Sequence, residues 1–127
     1  MRDLAELLAA PDEHAVERAL TDYAGLVSAA YGDRLAGVYL FGSRARGSAR
    51  PESDADIAVV LSAFSGSALD EKMRLVDLAF DALTDHGLMI QPWPFTRAEW
   101  LAHQDGARFA GLLQAARRDA VPLVPAA

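Results

Sequence analysis

The stretch that decides the fold is VYLFGSRARGSARPESDADIAVVL, residues 38–61. It opens with Val38 to Phe41, a short apolar run rich in residues that favour β-structure, and it closes with a second such run, Ile57 to Leu61. Short apolar runs bounded by turn residues are typical of strands. The stretch therefore predicts two consecutive strands joined by a polar loop.

The loop begins and ends with residues suited to phosphate and metal chemistry. At Gly42 the missing side chain lets backbone N–H groups approach a ligand, and Ser43 adds a hydroxyl at the start of a helical turn whose free N–H groups favour phosphate. Asp54 and Asp56 are two residues apart, so on a strand they point to the same face. Paired carboxylates beside a phosphate-binding turn predict a Mg²⁺ site, because this ion shares oxygen ligands with substrate phosphates.

Plainer interpretations stay open for some of these residues. Asp54 and Asp56 also fit ordinary turn acids at a solvated strand end. The arginines at 44, 46 and 50 fit either a solvated basic face or contacts to a substrate. The Gly-Ser pair is what favours the metal interpretation, since neither half of the pattern is specific alone.

The segment resembles the signature of the polymerase-beta-like nucleotidyltransferase superfamily, in which a Gly-Ser pair follows one strand and an Asp-x-Asp pair begins the next. The fuller strings, Phe41 to Gly47 and Ser53 to Ile57, are similar to the minimal nucleotidyltransferases. Those are small stand-alone domains often encoded beside a HEPN-type partner as toxin–antitoxin pairs. The resemblance implies a nucleotidyltransferase fold, and it covers about a fifth of the chain.

The resemblance also implies roles and a reaction. Gly42 and Ser43 would hold the β- and γ-phosphates of a nucleotide, with Arg44 and Arg46 as further nucleotide contacts. Asp54 and Asp56 would be the catalytic residues and the Mg²⁺ ligands. The reaction would transfer a nucleoside monophosphate, AMP from ATP in the expected version, to an acceptor hydroxyl on a partner protein.

One departure from the family pattern bears on activity. Active members usually carry a third acidic residue on a later strand, and here Gln91 falls where we expect it. An amide coordinates weakly and cannot act as a base, and the nearest acids along the chain, Asp85 and Glu99, lie outside that strand. The alternative is therefore a catalytically impaired antitoxin or regulatory module that binds a HEPN-like partner. A third is a subunit that completes its site only in a complex.

The remaining sequence predicts one α/β domain over residues 1–127, with a small mixed sheet and flanking helices. Periodicity and turn residues indicate helices at 12–31, 68–84, 96–100 and 107–118, a strand at 88–90 and an extended segment at 121–124. Pro92 and Pro94 either end the third strand or make it an edge strand. Trp93, Phe95 and Trp100, and the apolar tail 121–127, are candidate partner surfaces, so an oligomer stays open.

Composition excludes several function classes. The chain has no cysteine, so thiolate catalysis and disulfides are ruled out. Its net charge of −6 argues against non-specific nucleic-acid binding, which needs a basic surface. No signal-like or membrane-spanning apolar run is present, so we expect a cytoplasmic protein without membrane contact.

Overall fold

The computed structural model describes residues 10–102 and 110–124. Its class is mixed α/β, as predicted. The helices are α1 (Glu13–Tyr31), α2 (Ser43–Arg46), α3 (Ala68–His86), α4 (Arg97–Leu101) and α5 (Ala110–Asp119), with one 3₁₀ turn at Gly32–Arg34. The strands are β1 (Leu35–Phe41), β2 (Ala55–Leu61), β3 (Ile90–Thr96) and β4 (Val121–Val124).

Side-chain caps fix where three of the helices begin. Asp12 accepts a hydrogen bond from the backbone of Ala15 and starts α1. Ser67 starts α3 and Thr96 starts α4, and each forms a reciprocal capping box with an acid three residues later. Such caps satisfy backbone N–H groups that a helix leaves unpaired. The helix predicted from residue 68 begins at Ala68, and the helix predicted from residue 96 begins at Arg97, directly after its cap Thr96.

The four strands form one mixed sheet in the order β3-β2-β1-β4. β1 is antiparallel to β2 and to β4, whereas β2 and β3 are parallel. The predicted third strand was placed too early, because β3 begins only at Ile90 and continues through Pro92 and Pro94 to Thr96. β3 lies at the sheet edge, where proline is tolerated because one row of backbone groups has no strand to pair with.

Helices cover both faces of the sheet. α1 and α3 pack on one face around side chains such as Val27, Ile57 and Leu75, all fully buried. α4 and α5 line a smaller core on the other face around Phe95 and Leu113. Each such fully buried side chain contributes about 1.5–3 kcal/mol to stability.

That smaller core corrects one prediction. Trp93, Phe95 and Trp100 were expected to offer a partner surface, but Phe95 is 0% exposed and both tryptophans pack against the same cluster. The ring of Trp100 also stacks on Tyr39, with 4.9 Å between ring centroids. Phe95 is therefore buried and the two tryptophans are partly buried, because the short helix α4 packs over β2 and β3.

The C-terminal segment is also used within the chain. Residues 121–124 form β4, which pairs with β1, so this part of the apolar tail completes the sheet. The predicted start of the last helix at Ala107 and the end of the tail lie outside the described residues. No helix in the described ranges is both long and apolar enough to cross a membrane.

Candidate functional site

The predicted site residues meet at one end of the sheet, where β1 ends and β2 and β3 begin. In the strand register, Asp56 of β2 lies between Phe41 of β1 and Gln91 of β3. Strand alternation puts Asp56 on the same face as Ala58, which belongs to the smaller core beneath α4 and α5. The sheet therefore places Gly42, which follows Phe41, beside the carboxylate of Asp56.

Gly42 is in close contact with that carboxylate. Its φ is +77°, a backbone conformation that favours glycine, and a Cβ built there would lie 2.5 Å from Oδ2 of Asp56. Any other residue would have to displace the carboxylate. Helix α2 starts at Ser43, as predicted, and Gly47 ends it with a left-handed backbone, φ +76°. The turn and the aspartate thus form one unit that depends on a missing side chain.

The surroundings of Asp56 disfavour the charged form of its carboxyl group. Burial raises the pKa of its half-buried carboxyl, and the negative charge of the exposed Asp54 raises it further. The indole of Trp93 and the positive charges of Arg46 and Lys72 lower the pKa of Asp56, but they do not cancel this rise. A cation would remove the cost. Within residues 10–102 and 110–124, no group of three or more acidic or histidine side chains could hold a metal alone, so oxygens of water or substrate would have to complete its shell.

Arg44 holds the loop that leads to the aspartates. Its Nε and Nη2 donate to the carbonyl oxygen of Ser53 at 3.0 and 2.7 Å, and Nη2 also reaches the carbonyl of Pro51 at 3.1 Å. Ser53 immediately precedes Asp54. The guanidinium of Arg44, a predicted nucleotide contact, thus binds the backbone of this loop in the structure.

Arg46, the other predicted nucleotide contact, forms an ion pair. Its Nη1 lies 2.7 Å from Oδ2 of Asp119 at the end of α5. Arg118 also contacts Asp119, and the hydrogen bond from Arg118 is the main cause that lowers the pKa of this carboxyl. About half of the Arg46 side chain stays exposed, so its charge is available beside Asp56.

The acids considered as substitutes for a third carboxylate lie elsewhere. Gln91 is the β3 residue registered with Asp56, which agrees with the predicted alignment of that strand. Glu99 is occupied by its capping box, where Oε1 accepts from the backbone N–H of Thr96 at 3.0 Å. Asp85 is exposed in the last turn of α3.

Sequence reasoning missed Lys72, the only lysine of the chain. It lies on α3 and reaches around the edge strand, where its ammonium donates to the carbonyl of Pro92 and lies 3.8 Å from the ring centroid of Trp93. Its positive charge acts on Asp56. Lys72 lies on a helix and contacts a strand that is distant in sequence, so spacing along the chain could not predict this contact. The one available signal was that the chain has a single lysine.

Comparisons with known proteins bear on the family and the fold of the chain. The model of the nucleotidyltransferase domain family matches residues 25–107, which include the whole loop and β3. The fold is similar to that of a toxin–antitoxin crystal structure with AMP-PNP: the TM-score is 0.55 and the identity 18%, over 83% of this chain and 73% of that one. It is also similar to a candidate nucleotidyltransferase from Sulfolobus solfataricus, with TM-score 0.51 and identity 24% over 69% of this chain and 78% of that one. None of the curated proteins compared with the chain matches its sequence.

Proposed function

Because the chain belongs to the nucleotidyltransferase domain family, we propose that it transfers AMP from ATP to an acceptor hydroxyl on a protein partner, with Mg²⁺ as cofactor. The observation that carries this proposal is the contact between Gly42 and Asp56. Only glycine leaves space there, and the carboxylate beside it bears a charge cost that a metal–phosphate group would relieve.

Each site residue has a distinct part in the proposal. Asp54 and Asp56 hold Mg²⁺, which supplies charge stabilisation at the attacking and leaving oxygens. The backbone at Gly42 and the hydroxyl of Ser43 bind the terminal phosphates, and Arg46 adds positive charge. Arg44 keeps the loop, and hence both aspartates, in place.

The proposed transfer does not need a base on β3. The acceptor oxygen bonds to the α-phosphorus of ATP. At the same time, the bond breaks between that phosphorus and the oxygen that bridges the α- and β-phosphates. Pyrophosphate leaves with the bonding electrons, and the acceptor proton passes to water, because the amide of Gln91 cannot accept it.

The proposed partner is a HEPN-type protein in a toxin–antitoxin pair. The resemblance of the Gly42–Asp56 segment to minimal nucleotidyltransferases suggests it, and the similarity of the fold to a toxin–antitoxin structure supports it. That structure holds AMP-PNP, which agrees with ATP as the donor here.

A second candidate function rests on Gln91. An amide at the β3 position registered with Asp56 favours a regulatory module that binds nucleotide and partner without transfer. The two functions differ in a single measurable property, which is the covalent transfer of label.

The deciding experiment incubates the purified chain and Mg²⁺ with α-labelled or γ-labelled ATP, alone and with the protein encoded beside it. We expect label on the partner from α-labelled ATP only, and none with Asp54→Ala. Transfer from γ-labelled ATP would mean phosphoryl transfer and would contradict the proposal. Bound ATP without transfer, together with transfer by Gln91→Glu, would establish the regulatory function.

A further inference from the structure

Helix α3 has a second apolar face that nothing in the described chain covers. Its inner face, with Leu75 and Ala79, packs on the core. Outer helix faces are normally polar. Here the outer face carries Leu69, Met73, Val76 and Phe80, which are 67, 53, 38 and 63% exposed.

These four residues form one stripe, which we call the α3 stripe. Their spacings of four, three and four residues bring them onto one side of a helix. Isolated exposed apolar residues are ordinary, but a contiguous row marks an interaction site. The α3 stripe therefore has the form of a surface that binds another helix.

A row of acids runs alongside the α3 stripe. Asp70, Asp77 and Asp81 are all exposed and each follows a stripe residue, which places them about 100° around the same helix. Of the two cations on this helix, Lys72 donates to the carbonyl of Pro92 and Arg74 contacts the buried Glu71 at 2.7 Å. The side of the α3 stripe that carries these three aspartates is therefore negatively charged.

The acidic row argues against an antiparallel pair of chains joined through the α3 stripe. If two copies paired antiparallel through the α3 stripe, a two-fold axis would set each acidic row against its own equivalent. Like charges across an interface disfavour that pairing. An anionic membrane surface is disfavoured for the same reason.

We propose that the α3 stripe is a docking surface for a partner protein's amphipathic helix that carries an apolar face flanked by arginine or lysine. The proposal rests on the proposed function only in assuming a protein partner, and it does not require nucleotidyl transfer. Apolar contact supplies affinity, and the acidic row of Asp70, Asp77 and Asp81 selects the charge of the partner.

The test uses two synthetic helical peptides with the same leucine face, one flanked by arginines and one by glutamates. Binding to the full chain is measured by fluorescence anisotropy without nucleotide. We expect the arginine peptide to bind at least about tenfold more tightly. Phe80→Asp should weaken binding about tenfold or more, whereas Leu101→Asp, at a leucine 65% exposed on α4, should leave it unchanged.

A charge swap makes the test specific. Asp77→Arg should weaken binding of the arginine peptide and strengthen binding of the glutamate peptide, whereas Glu17→Arg on α1 should do neither. Equal binding of both peptides, or binding insensitive to Phe80→Asp, would overturn the proposal. So would a dimer in sedimentation that Phe80→Asp abolishes, or partition onto phosphatidylglycerol or phosphatidylcholine vesicles.

Because Phe80 is exposed, its variant should fold, which thermal unfolding checks. Asp56→Asn should bind the arginine peptide like the parent chain. Peptide binding without any transfer by the parent chain would count against the proposed function alone, and transfer without peptide binding would count against the α3 stripe alone.

Discussion

Glu71 and Asp56 are two acids in different surroundings. Glu71 is 0% exposed, and its oxygens accept from Arg34 at 2.5 Å, Arg74 at 2.7 Å and the hydroxyl of Tyr31 at 3.3 Å. Asp56 is only half-buried, yet its near neighbour is another carboxylate. The more deeply buried acid is the better compensated one.

The difference distinguishes a structural acid from a functional one. Breaking a buried pair is costly, so the donors around Glu71 fix the start of α3 against the end of α1. Asp56 lacks equivalent donors and keeps a charge cost in the absence of ligand. Perturbed acids of this kind concentrate at functional sites.

The largest effect is expected from Asp56→Asn on transfer. Removing a metal-binding charge should lower the rate at least about a thousandfold, because several kcal/mol of charge stabilisation are lost. The α-label assay measures it, with Glu17→Gln on the exposed face of α1 as control. A rate within tenfold of the parent chain would show that Asp56 does not hold the metal.

Glu71→Gln should act on stability rather than on the site. We expect the free energy of unfolding to fall by about 2–3 kcal/mol, below the 3–5 kcal/mol for a fully buried pair because both arginines are partly exposed. Urea unfolding measures this loss, and ATP binding by the folded variant should be unchanged. An unaltered unfolding midpoint would contradict the structural role.

Gly42→Ala and Gly47→Ala separate backbone strain from the clash with Asp56. Both glycines have φ near +76°, but a Cβ meets nothing within 4 Å at Gly47 and meets the carboxylate at Gly42. Gly47→Ala should cost about 1–2 kcal/mol of stability with ATP binding retained. Gly42→Ala should also weaken Mg²⁺-dependent ATP binding about tenfold, because the carboxylate must move.

A double variant checks that interpretation. In an Asp56→Ala background the clash is gone, so Gly42→Ala should cost less stability than in the parent chain. Equal costs in the two backgrounds would show that backbone strain accounts for the whole effect.

Arg44→Lys should have a smaller effect. An ammonium cannot reproduce the fork that holds the carbonyls of Pro51 and Ser53, so the loop before Asp54 loosens. We expect about a fivefold to tenfold lower transfer rate, roughly 1 kcal/mol, with nearly unchanged stability. Arg50→Lys, at an exposed arginine of the same loop, is the matched control. If both changes lowered the transfer rate equally, Arg44 would have no positioning role of its own.

The smallest effect concerns pH. Because the pKa of Asp56 is raised on folding, the folded state holds its proton more tightly than the unfolded state does. Asp56 therefore lowers stability increasingly as pH rises from 3.8 through the raised pKa, and contributes nothing below that window. Without metal, Asp56→Asn should be more stable than the parent chain at neutral pH and equal near pH 3. A stability difference independent of pH would contradict the burial argument.

Local patterns in the sequence determined the ends of several helices, the core strands and the position of the candidate site. Turn chemistry at Gly42 and Gly47, and the caps at Ser67 and Thr96, depend on neighbouring residues only, so they can be predicted from the chain. The apolar run from Ile57 to Leu61, which includes Val59, likewise predicted a core strand. The family-like segment around Asp54 and Asp56 indicated the site for the same reason, since its parts lie close along the chain.

Tertiary structure decided what depends on distant contacts. It packed Trp100 against the smaller core, continued β3 through two prolines at an edge of the sheet, and brought Lys72 around that edge toward Asp56. It also brought the guanidinium of Arg44, a predicted nucleotide contact, onto the backbone of the loop before Asp54. Sequence spacing encodes which side chains share a strand or a helix face. It does not encode which of them meet across elements, because those meetings are set by the packing of the whole sheet.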